Sequence, residues 1–302
     1  MALTIYNIRK WYKMLTGKSI LHVTQDLGKV FTIDKISGYY NNLTQKVLKQ
    51  PELLGTNELP LIITETGQKI YFPVAIFQYG LGSYDLYLET GNKKYFAKFL
   101  QCCNWAIAHQ DVSGAWSNFF FIYKDHPYGS MAQGEGASLI IRGYIETKNI
   151  KYRDAAKKAL DFMLLPIEQG GTTQFEDEKV IFREYTHLPT VLNGWIFSLF
   201  GLYDGTLIFE DPIYKDLYKK SIGSLVNALG EFDNGFWSLY DMDKHIASPF
   251  YHNLHIAQMQ ALYAITNIDI FNQYAEKWKV YSNKNVNKIR AFIIKAIQKI
   301  VQ

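Results

Sequence analysis

Three short stretches of the chain concentrate the groups that can move protons or hold charge. They are Arg183-Glu184-Tyr185-Thr186-His187, Tyr240-Asp241-Met242-Asp243-Lys244-His245 and Tyr251-His252-Asn253-Leu254-His255. A glutamate beside a tyrosine at the rim of a cleft suits general-base work, because burial and neighbouring groups tune its pKa. The plainer alternative is a solvated loop whose glutamate caps a helix. His252 and His255 share a helix face at i, i+3, and with His187 they would make a possible metal set. No His-Glu-x-x-His or Cys/His zinc spacing accompanies them, so the expectation is no metal, with His255 a buried, hydrogen-bonded histidine. There is no Walker loop and no Gly-x-Ser-x-Gly elbow. Gly80-Leu81-Gly82 lacks the strand and third glycine of a dinucleotide fingerprint, and Gln133-Gly134-Glu135-Gly136 reads as close helix packing.

These clusters need elements to hold them, and the elements repeat. Four segments each show a helical stretch with a tyrosine near its end, a short polar turn and a second helical stretch. The marker tyrosines Tyr87, Tyr144, Tyr203 and Tyr263 are spaced by 57, 59 and 60 residues. Apolar stripes at helical period run through Phe77, Leu81, Tyr84 and Leu88, through Leu192, Trp195, Ile196, Leu199 and Leu202, and through Leu254, Ala257, Ala261 and Ile265. Pro73 and Pro189 are placed in first helical turns. The third unit has the longer turn. Antiparallel helix pairs repeated at this interval stack as a solenoid or curl into a ring. The rim loops repeat too, as DVSGAWS at 111–117 and FDNGFWS at 232–238.

The fold expected is therefore mainly α: an (α/α) toroid of about four hairpins, complete or incomplete, over residues 71–302. Residues 1–70 form an extension packed on it, with a β-hairpin in LPLIITETGQKIYF and a short helix ended by Pro51. Tyr71, Tyr128, Tyr185 and Tyr251 fall at the entrances of the first helices, 16, 16, 18 and 12 residues before their markers. Tyr240 joins them through its rim loop. Helix N-termini carry partial positive charge and free N–H groups, so a ring of them lined with phenols suits a carboxylate-bearing sugar. Packing at helix entrances explains the same tyrosines about as well.

Composition narrows the classes. Of 302 residues, 48% are hydrophobic and 20% charged, which excludes disorder and low complexity. The net charge of +4 is mild and forms no basic stripe, so nucleic acid is not an expected partner. The nearest approach to one is Arg9, Lys10, Lys13 and Lys18, a basic, amphipathic start that suits a solvated helix better than contact with a membrane surface. Adjacent Cys102 and Cys103 do not suit a disulfide, which points to a reducing compartment. No signal-peptide pattern or spanning apolar run is evident, so the expected location is the cytoplasm. Aromatic residues make up 16% of the chain, as packing between helices or stacking on sugars would require.

The stretches FPVAIFQYGLGSY, CNWAIAHQDVSGAW, YGSMAQGEGASLIIRGYIETKN, EYTHLP, VLNGWIFSLFGLYD, LYD at 239–241 and YHNLHIAQMQALYAI follow one another from Phe72 to about Trp278. In that order the sequence resembles the C-terminal helical domain of the D-glucuronyl C5-epimerase family. The resemblance implies an α/α toroid that converts glucuronic to iduronic acid residues within a polysaccharide. It also implies active-site groups at Glu184, Tyr185, Tyr240 and Tyr251. Two departures are visible. The animal enzymes carry a β-sheet domain between the QYG and NW segments and a membrane anchor, neither of which is expected here. Where they have an Arg shortly after the LYD-type motif, this chain has Asp243 and Lys244.

C5 epimerisation removes the proton α to the uronate carboxylate and returns one to the opposite face. It requires two acid/base groups and stabilisation of an enediolate-like intermediate. Glu184 and Tyr251 are the expected opposed pair, with Tyr185 and Tyr240 assisting or holding the carboxylate. A tyrosine serves as base if a cation lowers its pKa, and Arg183, His252 and Lys244 are the cations expected to do so. Asn193, Tyr128, Trp116 and Trp237 complete the candidate sugar contacts, although packing suits both tryptophans at least as well. No redox cofactor is called for. The expected partner is a uronic-acid polymer or lipid-linked oligosaccharide, met beside glycosyltransferases before export, and a homodimer is compatible. Three rivals share the residues. A uronate lyase begins with the same proton abstraction, a glycoside hydrolase would pair Glu184 with Asp241, and a carbohydrate-binding protein would bind without chemistry.

Overall fold

The computed structural model describes residues 22–49, 54–55, 58–64 and 66–301. The basic stretch Arg9 to Lys18 lies outside the described residues. A short helix α1 (Thr44–Leu48) is followed by a two-residue hairpin, β1 (Ile62–Ile63) against β2 (Lys69–Ile70), at the expected Thr-Gly turn. Four helical hairpins follow: α2 (Pro73–Thr90) with α3 (Lys93–Ala108), α4 (Ser130–Thr147) with α5 (Ile150–Leu164), α6 (Leu192–Ile208) with α7 (Pro212–Ala228), and α8 (Pro249–Thr266) with α9 (Asp269–Ser282). A last helix, α10 (Asn285–Val301), closes the order. The architecture is mainly helical and toroid-like.

Local chemistry explains the hairpins. The marker tyrosines sit where the first helices end: the carbonyls of Tyr87, Tyr144 and Tyr263 accept from the N–H of Gly91, Lys148 and Asn267, each in the left-handed conformation. That geometry satisfies the last-turn carbonyls and turns the chain. Asn92, Asn149 and Asp211 then cap the second helices, each accepting from the N–H two residues on. The third turn is one residue longer than the others, as expected.

The first helices form the inner layer. Ser130 to Gly143 of α4 and Leu192 to Gly205 of α6 are buried without interruption, whereas α3, α5, α7 and α9 bury one face. The inner helices pack in the order α2, α4, α6, α8. At the α4–α6 crossing a Cβ on Gly201 would lie 2.4 Å from the Gly134 Cα, so only glycine lets the backbones approach this closely. The close-packing reading of the Gln133–Gly136 run holds.

Upstream residues enter this core directly. Tyr39 and Tyr40 are buried against Phe197 and Phe200. The buried Arg142 binds the carbonyls of Ser37 and Gly38 at 2.7 and 3.0 Å and Asp204 at 2.6 Å. Three elements differ from expectation. Pro189 precedes α6 rather than entering it, because Val191 is held extended by a bridge to Asp241. Tyr251 lies inside the first turn of α8, since Ser248 caps that helix and Pro249 opens it. A hairpin, β3 (Thr173–Glu176) against β4 (Lys179–Phe182), occupies a stretch where no strand was expected; Asp177 takes a positive φ of 50° at its turn in place of glycine.

Candidate active site

Glu184 and Tyr185 lie between β4 and α6, and two backbone bonds pin them there. Arg183 N–H donates to Thr172 O at 2.9 Å, and Ser130 N–H, opening α4, donates to Arg183 O at 2.9 Å. The Tyr240 loop is laced to the same entrance. Leu192 N–H donates to Tyr240 O at 3.1 Å and Met242 N–H to Thr190 O at 3.1 Å. Tyr251 comes from α8. Residues far apart in sequence thus meet where two inner helices begin.

Two glycines make room for Glu184. A Cβ on Gly129 would lie 2.1 Å from the Glu184 carbonyl oxygen, and one on Gly194 would lie 2.3 Å from Glu184 Oε2. The carboxyl is therefore held against the first turn of α6, close to the positive end of that helix. Glu184 is only 8% exposed, and its Oε2 has no protein partner. Burial pushes its pKa up to about 7, with contact from Tyr185 pulling the other way. A carboxyl that titrates near neutrality suits proton transfer.

Phenols surround it. The Tyr185 ring stacks on Phe119 at 4.4 Å and meets Tyr123 edge-on at 6.1 Å. Tyr240 and Tyr251 meet at 4.8 Å between ring centres, with their planes at 62°. All three tyrosines are partly exposed. Burial raises the pKa of each, and the Glu184 charge adds to the rise. For Tyr251 the hydrogen bond with Tyr240 acts in the opposite sense.

This reverses the expected role of the cations. Arg183 turns away to Gln174 Oε1 and the Leu188 carbonyl. Lys244 reaches Glu231, with Nζ 3.0 Å from that residue's carbonyl oxygen. His252 is buried and its pKa is lowered to about 4, burial being the largest cause, so it is neutral. None of these groups is seen pulling a phenol down, and the tyrosines are neutral acids. The cause lies in partners that sequence spacing does not reveal.

The remaining candidates divide clearly. Asn193, in the first turn of α6, is buried with Oδ1 unpartnered, and its carbonyl accepts from Gln258 Nε2 at 3.2 Å. Tyr128 gives its hydroxyl to Asp111 at 2.7 Å. Trp116 and Trp237 are each 1% exposed, with indole N–H groups bonded to Ala106 O and Ala247 O. Trp237 stacks on His252 at 3.7 Å. Neither indole presents a face to a sugar; both hold rim loops, where Gly114 and Gly235 take matching positive φ angles. The Asp241 carboxylate is paired with His245 Nδ1 at 2.8 Å. His252 and His255 share Ser238 Oγ at 2.8 and 3.0 Å, so His255 is the buried, hydrogen-bonded histidine expected. Among the described residues, no group of three or more His, Cys, Asp or Glu side chains is placed to hold a metal.

Sequence reasoning did not single out Phe119, Tyr123, Gly129, Gly194 or Gln258 as site residues. The available signal was weak: a glycine in the first turn of an apolar helix at Gly194, and one before α4 at Gly129. Glu135 was also passed over. It is buried on α4, accepts from Gln78 Nε2 at 2.9 Å, and is pushed up to about 8 by burial, with the Glu184 charge adding to the rise.

The family model for the D-glucuronyl C5-epimerase C-terminus matches residues 110–280, more than half the chain and all four site residues. The chain belongs to this family. A D-glucuronyl C5-epimerase of Caenorhabditis elegans is 25% identical to this family member over 214 residues, which cover 61% of the chain and 35% of the relative. An uncharacterised protein of Methanocaldococcus jannaschii is 31% identical over 162 residues, covering 50% of the chain and 51% of the relative. The chain thus spans between a third and about half of the curated relatives it matches. A crystal structure of a Listeria innocua protein shares the fold, with a TM-score of 0.52 at 13% identity, covering 77% of this chain and 74% of that one. Within the described residues of this C5-epimerase family member, no helix is long and apolar enough to cross a membrane.

Proposed function

We propose that the protein is a C5-epimerase, inverting glucuronyl to iduronyl residues within a polysaccharide or lipid-linked oligosaccharide. The observation that carries this reading is the near-buried Glu184 carboxyl, pushed up to about 7 and surrounded by three neutral phenols. Ionised Glu184 takes the C5 proton, and the C5–H electron pair moves into the uronate carboxyl as an enediolate. Tyr251 then gives its phenolic proton to C5 from the other face. This leaves protonated Glu184 and a Tyr251 phenolate, which Tyr185 and Tyr240 return to the starting state by relaying a proton. The unpartnered Glu184 Oε2, Asn193 Oδ1 and Gln258 Oε1 are acceptors that sugar hydroxyls would satisfy. We place the reaction in the cytoplasm, beside polymer-synthesising transferases, in keeping with the free, buried Cys102 and Cys103.

The test is NMR of an unsulfated glucuronic-acid polysaccharide incubated with the protein in D₂O. Deuterium at C5 together with new iduronate signals is the expected result. An H4–H5 alkene would replace the epimerase reading with a lyase, and absence of exchange across several uronate polymers would replace it with sugar binding.

A further inference from the structure

Helix α10 has two apolar faces, and the fold uses one. Ala291 and Ile294 pack into the small core formed by Phe236, Trp237, Leu239, Ile246 and Ala247. Gln298 accepts from Ile246 N–H at 2.9 Å, Lys295 Nζ donates to Ile246 O at 2.8 Å, and the Arg290 guanidinium lies 3.9 Å from the Phe236 ring centre. These contacts fix the helix against the loop that carries Tyr240. On the opposite side, Val286, Ile289, Phe292, Ile293 and Ile297 recur at helical spacing and are between 46% and 75% exposed. Single exposed apolar residues are ordinary, but a stripe along a whole helix marks a contact surface.

Charge identifies the occupant. From Lys277 to the end of the chain there are seven basic residues and no acidic one, while the preceding residues carry 25 basic against 28 acidic. At 100° per residue Lys288 falls on one border of the exposed stripe and Arg290 on the other. A second copy of the chain, paired about a twofold axis, would bring the same basic flanks together. Residues 1–21 are also basic, with no acidic residue, so that segment is no better matched. An apolar stripe bordered by lysine and arginine fits the interface of an anionic phospholipid bilayer, where the apolar side chains enter the acyl boundary and the cations meet headgroups.

We propose that α10 docks the protein on anionic membrane surfaces, lying in the interface without spanning it. The inference is independent of the reaction assigned above. It places the Tyr240 loop directly behind a membrane-bound helix.

Vesicle flotation of the full chain tests it, with phosphatidylcholine vesicles and with vesicles that are one-third phosphatidylglycerol. Wild-type protein is expected to float with the anionic vesicles. Ile289→Glu/Ile293→Glu is expected to lose about tenfold or more in apparent affinity. Lys288→Glu is expected to lose about fivefold or more at low salt and less at high salt, where headgroup attraction is screened. Unchanged melting of both variants would show that the surface, not the fold, was altered. Flotation of the isoleucine variant equal to wild type would overturn the proposal, as would failure of wild type to float with anionic vesicles. A wild-type dimer in solution that the isoleucine variant makes monomeric would assign the face to a second copy instead.

Discussion

With its carboxyl largely buried and pushed up to about 7, Glu184 is partly ionised at neutral pH while the tyrosines around it hold their protons. The base form is the one that accepts the C5 proton. C5 exchange should therefore fall about tenfold per pH unit below about 7 and level off above it, a limb that a pH profile of deuterium incorporation reads directly. The sign for folding runs the other way. A carboxyl raised from 4.5 to about 7 favours the folded state at low pH, and that contribution is lost as pH rises through about 7. Replacing Glu184→Gln should lower the exchange rate by about 10²–10⁴-fold at every pH. Tyr251→Phe separates the two faces: deuterium should still enter glucuronate C5 through Glu184, while iduronate forms at least about 10²-fold more slowly. Equal loss of exchange and inversion would remove Tyr251 from the role of second acid. The identities of Glu184, Tyr185, Tyr240 and Tyr251 were legible in the chain, but their protonation was not. Arg183, Lys244 and His252 looked like cations available to them until their actual partners were seen.

At the scale of elements, the site is a meeting of helix entrances, and glycine governs how closely they meet. Gly194 lies in the first turn of α6, where a side chain would collide with the Glu184 carboxyl. Gly194→Ala would favour the helix by about 1 kcal/mol in propensity, yet it must displace Glu184. Exchange should fall by about 10-fold to 10²-fold with little change in melting temperature, because misplacing a reacting group costs rate more than stability. A variant with full activity would show that the carboxyl works from another position. The four hairpins were legible because their signals are local: apolar stripes at helical period, a tyrosine near the end of each first helix and a short polar turn. The β3–β4 hairpin was not, since its strands are four residues each and its turn uses Asp177 instead of glycine.

The whole molecule is tied together by a buried ion pair that no short motif announces. Asp204 on α6 accepts from Arg142 on α4, from Ser138 at 2.6 Å and from Tyr40 at 2.6 Å, while Arg142 also binds the carbonyls of Ser37 and Gly38. One cluster thus joins two inner helices to the segment before the first hairpin. Asp204→Asn would leave the Arg142 charge buried without its counter-ion, and urea unfolding should show a loss of about 3–5 kcal/mol. A loss well under 1 kcal/mol would mean that solvent already reaches the pair.

The sequence by itself determined the repeated hairpins and the identity of the titratable clusters, because these depend on neighbours within one or two helical turns. Tertiary structure decided which candidates share a site. It buried Trp116 and Trp237 as loop anchors, drew Arg183 and Lys244 to other partners, and enclosed Glu184 between Gly129 and Gly194. Desolvation acts through space, so the raised pKa of Glu184 follows from a burial that only folding creates.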